Sequence, residues 1–314
     1  MAIDYARVLI DLNVHFDVIS RGKVKANAFK DKIGIDVMTG GLDRNLKTLN
    51  PHDYDFVINA VGQEELFNTT LSLIKIGFGT LLIEKPGGIN TDEIRSLAKK
   101  SKSYGTIIFV AYNRRFYASV IEAGKIIKKD EGVKSFHFEF TELSHVMNKS
   151  IKPPIVKKNW FLCNSSHVVD MAFYLAERPK QINSYIAGGI SWHPLSSIFV
   201  GSGRTENGAL FSYQANWEAP GHWRLEIMTK KHRIIFDPLE KLKIQKFGSY
   251  SLENVNLNDK MDNIYKPGIY LQVLKILKGD TNDLCSIDEQ VSNLKFYEMI
   301  MFGSNDRSAL LNYD

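Results

Sequence analysis

The chain has 314 residues, of which 44% are hydrophobic and 24% charged, a composition typical of globular proteins, and its length predicts two domains. The 40 basic and 35 acidic residues give a net charge of +5, and the basic residues are scattered, so nucleic acid is not an expected partner. No apolar run reaches the roughly 20 residues that span a membrane, and the start lacks the layout of a signal peptide. Cys163 and Cys285 form neither a disulfide framework nor a zinc-binding spacing, so we expect a reducing cytoplasm and no metal site.

The first part of the chain alternates predicted helices and strands. This alternation is typical of parallel βαβ units, so residues 1–117 are predicted to form a Rossmann-type dinucleotide-binding domain. The predicted helices cover 4–12, 25–31, 64–76, 91–103 and 118–128. The predicted strands cover 16–20, 33–38, 55–62 and 106–111, with a further short strand that ends at Lys85.

The beginning of this domain departs from the usual pattern. A dinucleotide-binding domain starts with a strand and a G-x-G-x-x-G turn before its first helix, whereas this sequence begins inside what resembles that helix, and its first glycine is Gly22. Either the sequence is truncated relative to its natural product, or another segment fills the place of the central first strand. We therefore expect the strands at 16–20 and 55–61 to flank a gap or to be bridged by an unexpected segment, because unpaired buried backbone groups are costly.

The run Glu84-Lys85-Pro86-Gly87-Gly88 places a lysine at the carboxyl end of a predicted strand. Pro86 has no N–H group and ends the strand, and the two glycines allow the chain to turn away. Ligands of open α/β sheets bind in the crevice at the carboxyl ends of the strands, so Lys85 is expected to lie where a ligand binds. A solvated ion pair before a turn is the alternative interpretation.

Residues 118–314 are predicted to form an α+β domain with an open, mainly antiparallel sheet. Phe211, Tyr213, Ala215 and Trp217 alternate with polar residues, which predicts a strand with one buried face. The predicted strands cover 133–140, 181–191, 208–217, 223–228 and 232–236. Helices are predicted over 264–277 and 287–301, the last returning to the first domain, and 144–158 is predicted to be a loop that covers the substrate.

A further helix, capped by Asn164 or Ser165, is predicted to carry His167 in its first turn. The positive end of the helix dipole disfavours the imidazolium, and a neutral histidine can accept a proton as a general base. His167, Asp170 and Tyr174 share one face of this helix, so Asp170 is expected to orient the histidine. A structural histidine is the alternative.

The EKP run at 84–86, the run Tyr112-Asn113-Arg114-Arg115-Phe116-Tyr117, and His167 with Asp170 three residues later together resemble the glucose–fructose oxidoreductase / inositol dehydrogenase family. The resemblance implies an NAD(P)-dependent oxidoreductase that transfers a hydride to or from a secondary alcohol carbon of a sugar or sugar-like substrate. It implies that Lys85 and His167 are catalytic and face one cleft. The implied substrate contacts are Arg114, Asn164, Asp170 and Tyr174. The implied cofactor contacts are Ser20, Arg21, Ala60, Val61, Glu84, Lys85 and Asn113.

Three details bear on what the resemblance implies. Ser20, Arg21 and Lys23 stand where an acid would bind the ribose of NAD, which favours NADP, although a solvated basic turn explains the same residues. The family usually has an aspartate where this chain has Cys163, which leaves the substrate open. The family often uses the free face of the sheet to form a homodimer or homotetramer. A non-catalytic ligand-sensing or regulatory protein of the same fold is the alternative function.

Overall fold

A computed structural model describes residues 1–304. The fold has an α/β part with parallel strands and an α+β part with a large, mainly antiparallel sheet, which confirms the predicted fold class. Residues 305–314, the end of the second predicted domain, lie outside the described residues. The first compact unit comprises Met1–Asn113 and Lys260–Val291, and the second comprises Arg114–Asp259 and the chain from Ser292.

Short parallel strands and their connecting helices form the first unit. Helix α2 runs to Ile33 and ends at Gly34, whose φ of 80° is a left-handed conformation that glycine adopts readily. The strand predicted at 33–38 is therefore reduced to two residues. The helices are α1 (Ala2–Asp11), α2 (Lys23–Ile33), α3 (Leu42–Asn45), α4 (Leu66–Ile76) and α5 (Thr91–Tyr104). The strands are β1 (Ile19–Ser20), β2 (Met38–Thr39), β3 (Val57–Asn59), β4 (Thr80–Ile83) and β5 (Ile107–Val110).

The parallel strands are divided between two sheets. Strand β1 pairs with β2 in a two-stranded sheet, whereas β3, β4 and β5 are neighbours in a four-stranded sheet. Within residues 1–304, β1 and β3 are each paired on one side only, so each is the edge of its own sheet. These are the two strands that the sequence placed beside a gap.

The second unit contains one eight-stranded sheet, with strands in the order β13-β12-β11-β10-β6-β9-β8-β7. Neighbours are antiparallel except β6 and β9, which are parallel. The strands are β6 (Ser135–Phe140), β7 (Pro179–Ala187), β8 (Ile198–Thr205), β9 (Leu210–Asn216), β10 (Trp223–Met228), β11 (His232–Phe236), β12 (Lys243–Lys246) and β13 (Leu252–Asn254). The helices before β7 are α6 (Ala118–Lys129), α7 (Ser144–Asn148), α8 (Pro154–Lys158) and α9 (Ser166–Ala176). The predicted loop at 144–158 is thus wrong in part, because two short helices form inside it.

Aromatic side chains fill the buried face of this sheet. In β6 the burial alternates, and Phe136 and Phe138 stack on Phe211 and Tyr213 of the neighbouring strand with ring centroids 5.3 Å apart in both pairs. Phe173 of α9 packs edge-on against Phe136 at 5.7 Å. Because aromatic pairs of this kind bury large apolar areas and add an interaction of their own, α9 is held firmly on the sheet.

Two glycines of β8 make room for these rings. Gly201 is paired with Tyr213, and Gly203 with Phe211. A Cβ atom on Gly201 would lie 2.4 Å from the Tyr213 ring, and one on Gly203 would lie 2.0 Å from the Gln181 carbonyl oxygen and 2.6 Å from the Phe211 ring. These positions therefore need glycine for the close approach of the rings, since both strands have ordinary extended pairing.

A segment distant in sequence completes the first unit. After α10 (Lys260–Ile264) and α11 (Ile269–Leu277), strand β14 (Cys285–Ser286) pairs antiparallel with β5. The first residues of α12 (Ile287–Phe302), up to Val291, also belong to this unit. The division differs from the predicted domains at 260–291, because an antiparallel pairing across such a sequence distance leaves no local signal. In the described part of the chain, no helix is both long and apolar enough to cross a bilayer.

Candidate functional site

Lys85 lies two residues after Ile83, the last residue of β4, at the carboxyl end of the strand, and it is only 8% exposed. The Lys85–Pro86 peptide bond is cis. The turn that follows depends on Gly87, whose φ is 95° and whose added Cβ would lie 3.3 Å from Val110. Gln290 fixes the turn by donating from Nε2 to the Pro86 carbonyl at 3.0 Å.

Glu84 lies beside this lysine and is bound to the first helix. The Tyr5 hydroxyl donates to Oε1 of Glu84 at 3.0 Å. Burial raises the pKa of the Glu84 carboxyl, although the Tyr5 hydrogen bond and the charges of Lys85 and Lys266 oppose that shift. Burial and the neighbouring Glu84 also raise the pKa of Tyr5 well above its ordinary value. The predicted cofactor residue Glu84 therefore already has one oxygen engaged by α1.

The other predicted cofactor residues of the four-stranded sheet lie at the same edge. Ala60 and Val61 follow β3, which is next to β4, and Asn113 lies shortly after β5 on the other side. Asn113 is 4% exposed and donates from Nδ2 to the Pro267 carbonyl at 2.8 Å. The structure thus brings the ends of three adjacent parallel strands together, as ligand sites of open α/β sheets require.

Ser20 and Arg21 lie at the end of β1 in the separate two-stranded sheet. The Arg21 guanidinium forms an exposed ion pair with Glu65, with Nη1 and Oε1 2.7 Å apart. An exposed pair of this kind contributes at most about 1 kcal/mol, so a phosphate group can compete with Glu65 for the arginine.

His167 lies in the first turn of α9 and is 8% exposed. A π-helical turn, Phe161–Ser165, precedes α9 directly, and Ser165 itself has helical backbone angles and makes no side-chain cap. The predicted cap by Asn164 or Ser165 is therefore wrong. Because helical backbone continues in front of His167, the dipole of a free helix start does not apply to this histidine.

Asp170 and Arg115 form a buried ion pair in the second unit. The Arg115 Nε donates to Oδ2 of Asp170 at 2.9 Å and Nη2 donates to Oδ1 at 2.5 Å, and the two side chains are 3% and 1% exposed. The guanidinium also lies 4.9 Å from the ring centroid of Tyr174. Two predicted substrate residues thus hold Arg115, a partnership that the sequence did not reveal because the two motifs lie far apart in the chain.

Arg114 and Asn164 lie in another part of the same unit. The Arg114 guanidinium stacks on Trp223 at 4.6 Å, and the Trp223 ring is 6.4 Å from the ring of His167. Asn164 donates from Nδ2 to both oxygens of Glu142, at 3.1 and 3.0 Å. Trp223 and Glu142 were missed by the sequence analysis. Trp223 is the first residue of β10 and Glu142 lies two residues after β6, and neither position carries a motif.

A nicotinamide dinucleotide needs a crevice at strand ends and groups that bind its phosphates. Ala60, Val61, Lys85 and Asn113 lie at the carboxyl ends of adjacent parallel strands, and the basic Arg21 lies at the end of β1. The sequence contains no G-x-G-x-x-G run to cradle the pyrophosphate. Within residues 1–304, no three His, Cys, Asp or Glu side chains are grouped to hold a metal ion.

Solved structures share this architecture over nearly the whole chain. A levoglucosan dehydrogenase in complex with NADH and levoglucosan is similar, with 16% identity, TM-score 0.74, and coverage of 95% of this chain and 92% of its own. An oxidoreductase from Agrobacterium radiobacter in complex with NAD+, L-tartaric acid and magnesium has 11% identity, TM-score 0.76, and coverage of 98% and 93%. A UDP-N-acetylglucosamine 3-dehydrogenase from Acidithiobacillus ferrooxidans has 13% identity, TM-score 0.72, and coverage of 95% and 92%.

The sequence itself matches no protein-family model and no curated protein sequence. The structural likenesses show a fold made of a Rossmann-type unit and an open-sheet unit. This is the fold of NAD(P)-dependent oxidoreductases of the glucose–fructose oxidoreductase / inositol dehydrogenase type, and the resemblance predicted from the sequence motifs is confirmed at that level.

Proposed function

We propose that this protein is an NAD(P)-dependent oxidoreductase that transfers a hydride to or from a secondary alcohol carbon of a sugar or sugar-like substrate. The observation that carries the proposal is the burial of Lys85 at the carboxyl end of a parallel strand in this fold. Lysine is almost never buried to this extent unless a charged or polar group accompanies it, and strand ends of this kind bind ligands. The first unit is the proposed dinucleotide-binding part, and the second is the proposed substrate-binding part.

His167 and Lys85 are the proposed catalytic residues. The nicotinamide cofactor supplies the hydride acceptor or donor when it is bound. The imidazole of His167 takes the proton from the substrate hydroxyl during oxidation and returns it during reduction. The Lys85 ammonium orients the substrate oxygen and stabilises the negative charge that develops on it. The buried Arg115–Asp170 pair keeps α9, and with it His167, in place.

The proposed cofactor is NADP or NAD, with NADP favoured. Four of the similar structures are described with NADH or NAD+, which supports a nicotinamide cofactor without favouring NADP. Arg21 and Lys23, with no acid beside them at the end of β1, support a contact with the 2′-phosphate of NADP.

The proposed assembly is a homodimer or homotetramer formed through the free face of the eight-stranded sheet. Residues on that face are exposed in alternation with the buried aromatic residues, as in the burial pattern of β9. Tyr185 is 66% exposed and Val200 is 47% exposed there. A broad sheet face with exposed apolar side chains of this kind is suited to a partner sheet.

Kinetic measurements on variants test the proposed chemistry. Reduction of NADP+ or NAD+ is followed by absorbance with a panel of sugars and cyclitols. We expect His167→Ala to lower kcat by about 10²–10⁴-fold with cofactor affinity unchanged, and Lys85→Ala to impair both kcat and KM. His137→Ala is the control, because His137 bonds Ser212 on the sheet face away from α9. Turnover that survives His167→Ala unchanged would exclude the histidine as the base.

The second candidate function is a non-catalytic ligand-sensing or regulatory protein. The buried Cys163, at the position where the family that the sequence resembles usually has an aspartate, favours it. Titration of the chain with NADP+ and NAD+, followed by intrinsic tryptophan fluorescence, separates the two. Sugar binding without binding of either dinucleotide would support the sensing protein and contradict the oxidoreductase.

A further inference from the structure

Arg114 is a half-buried cation of the second unit that carries no ion pair among residues 1–304. It belongs to the short 3₁₀ turn Asn113–Phe116, and its guanidinium lies between aromatic rings, 4.6 Å from the Trp223 centroid and 5.8 Å from the Tyr117 centroid. Its Nε is buried and has no hydrogen-bond partner among the described residues. The adjacent Arg115 also lies over an aromatic ring, that of Tyr174, but it differs in having a carboxylate partner, because Asp170 accepts two of its hydrogen bonds.

The carboxylates around Arg114 do not neutralise it directly. Glu142 and Glu240 act on it through space, but in residues 1–304 neither lies within the 4.0 Å of an ion pair with it. The Glu142 carboxylate is instead held by Asn164 at 3.1 and 3.0 Å and by the Ser165 hydroxyl at 2.7 Å. Burial lowers the pKa of the Arg114 guanidinium, yet arginine keeps its charge in proteins, and an uncompensated buried charge is costly.

The position of Arg114 relates it to the proposed base. Trp223 contacts both groups, with the guanidinium 4.6 Å and the His167 ring 6.4 Å from its ring centroid. A ligand group bound to Arg114 would therefore lie on the same indole as the histidine that receives the hydroxyl proton. A sugar molecule that contacts this indole is large enough to reach both the Arg114 guanidinium and the His167 ring.

We propose that Arg114 binds an anionic group, a carboxylate or a phosphate, on the sugar substrate. This inference rests on the proposed function, from which it takes the sugar substrate and the proton transfer. It adds that the substrate carries a negative charge. A guanidinium has planar, diverging donors that match carboxylate and phosphate oxygens, and its hydrogen bonds to them are about twice as strong as neutral ones. The stacking on Trp223 fixes the plane of the guanidinium before the ligand arrives.

Isothermal titration calorimetry of the full chain with three ligands tests the proposal. D-Glucose is the neutral ligand, D-glucuronate carries a carboxylate, and D-glucose 6-phosphate carries a phosphate. We expect at least one anionic sugar to bind about 10- to 100-fold more tightly than glucose, the range expected for charge-assisted hydrogen bonds. A preference for glucuronate alone assigns a sugar acid, and a preference for the 6-phosphate alone assigns a sugar phosphate.

Variants assign the preference to this side chain. Arg114→Gln should abolish the preference for anionic sugars, and Arg114→Lys should retain part of it. A partial preference in Arg114→Lys also shows that a variant at this position still folds. Arg224→Gln is the matched control, because Arg224 neighbours Trp223 in sequence but already pairs with Glu226 at 2.5 Å, so the preference should persist. Equal affinities for all three sugars, no detectable binding of either anion at about 10 mM, or a preference that survives Arg114→Gln would overturn the proposal.

The outcome is separable from that of the proposed function. Anion preference that depends on Arg114 without hydride transfer to NAD+ or NADP+ would leave this inference standing and contradict the oxidoreductase. Turnover of neutral sugars, with no tighter binding of the anionic sugars, would support the oxidoreductase and contradict this inference.

Discussion

The two compact units reach their stability by different means. In the first, the parallel strands are two to four residues long and are divided between two sheets. In the second, eight strands of up to nine residues form one sheet, and its central strand β6 is flanked by β9 and β10. Aromatic rings from β6, β9 and α9 pack against one another on the buried face.

This difference indicates where the protein is rigid and where it is adaptable. The second unit holds His167 and Arg114 on elements fixed by an aromatic core and a buried ion pair. The first unit presents Lys85 near the carboxyl end of β4, an inner strand of its sheet. Within residues 1–304 the outermost parallel strand of that sheet, β3, is paired on one side only. Segments with few buried contacts and unpaired edges open at lower free energy than central strands, so we expect the first unit to be the less stable one.

The largest expected effect comes from breaking the buried ion pair of the second unit. Asp170→Asn leaves the buried Arg115 charge without its carboxylate, and we expect the free energy of unfolding to fall by about 3–5 kcal/mol, measured by urea denaturation. Lys125→Ala is the control, since it removes an exposed pair with Glu122 and should cost less than about 1 kcal/mol. Similar losses for the two variants would show that the pair does not stabilise this unit.

Hydrogen exchange tests the comparison itself. Amides of β6 should exchange on the order of 100-fold more slowly than those of β1 and β3, because β6 is hydrogen-bonded on both sides and lies over the aromatic core. Mass spectrometry of peptic fragments measures the difference. Equal protection of β3 and β6 would contradict the view that the first unit is the less stable of the two.

Arg21→Ala tests the adenosine end of the proposed cofactor site. If Arg21 exchanges Glu65 for the 2′-phosphate, the variant should lose about 1–3 kcal/mol of affinity for NADP and little for NAD. Fluorescence titration with both dinucleotides measures this, and Lys75→Ala, on the last turn of α4, serves as a control for loss of surface charge. Equal losses for both cofactors would show that Arg21 does not bind the phosphate.

The smallest effect concerns the dependence of stability on pH in the first unit. The raised pKa of Glu84 means that the folded state binds more protons than the unfolded state between the ordinary pKa of 4.5 and the folded pKa. Stability must therefore fall as the pH rises through that window. Glu84→Gln keeps an acceptor for the Tyr5 hydroxyl but cannot titrate. The Tm of the variant minus that of the wild type should therefore increase as the pH rises. A constant difference from about pH 4 to about pH 8 would contradict this.

Much of the fold could be predicted from the sequence because its signals are local. The apolar run at 80–83 followed by Glu84-Lys85-Pro86 determined where a strand ends and which side chain it delivers. The alternation in β6 and β9 determined which faces are buried, since side chains of a strand point to opposite sides in turn.

Only the tertiary structure decided how distant residues are paired. The partnership of Arg115 with Asp170 and the unpaired state of Arg114 could not be distinguished in the run Asn113–Phe116, where both arginines look equivalent. The parallel pairing of β6 with β9, the addition of β14 to β5 and the π-helical turn before His167 likewise have no short-range pattern in the sequence. These features depend on contacts between segments far apart in the chain, whose energies are decided by packing and burial and not by local propensity.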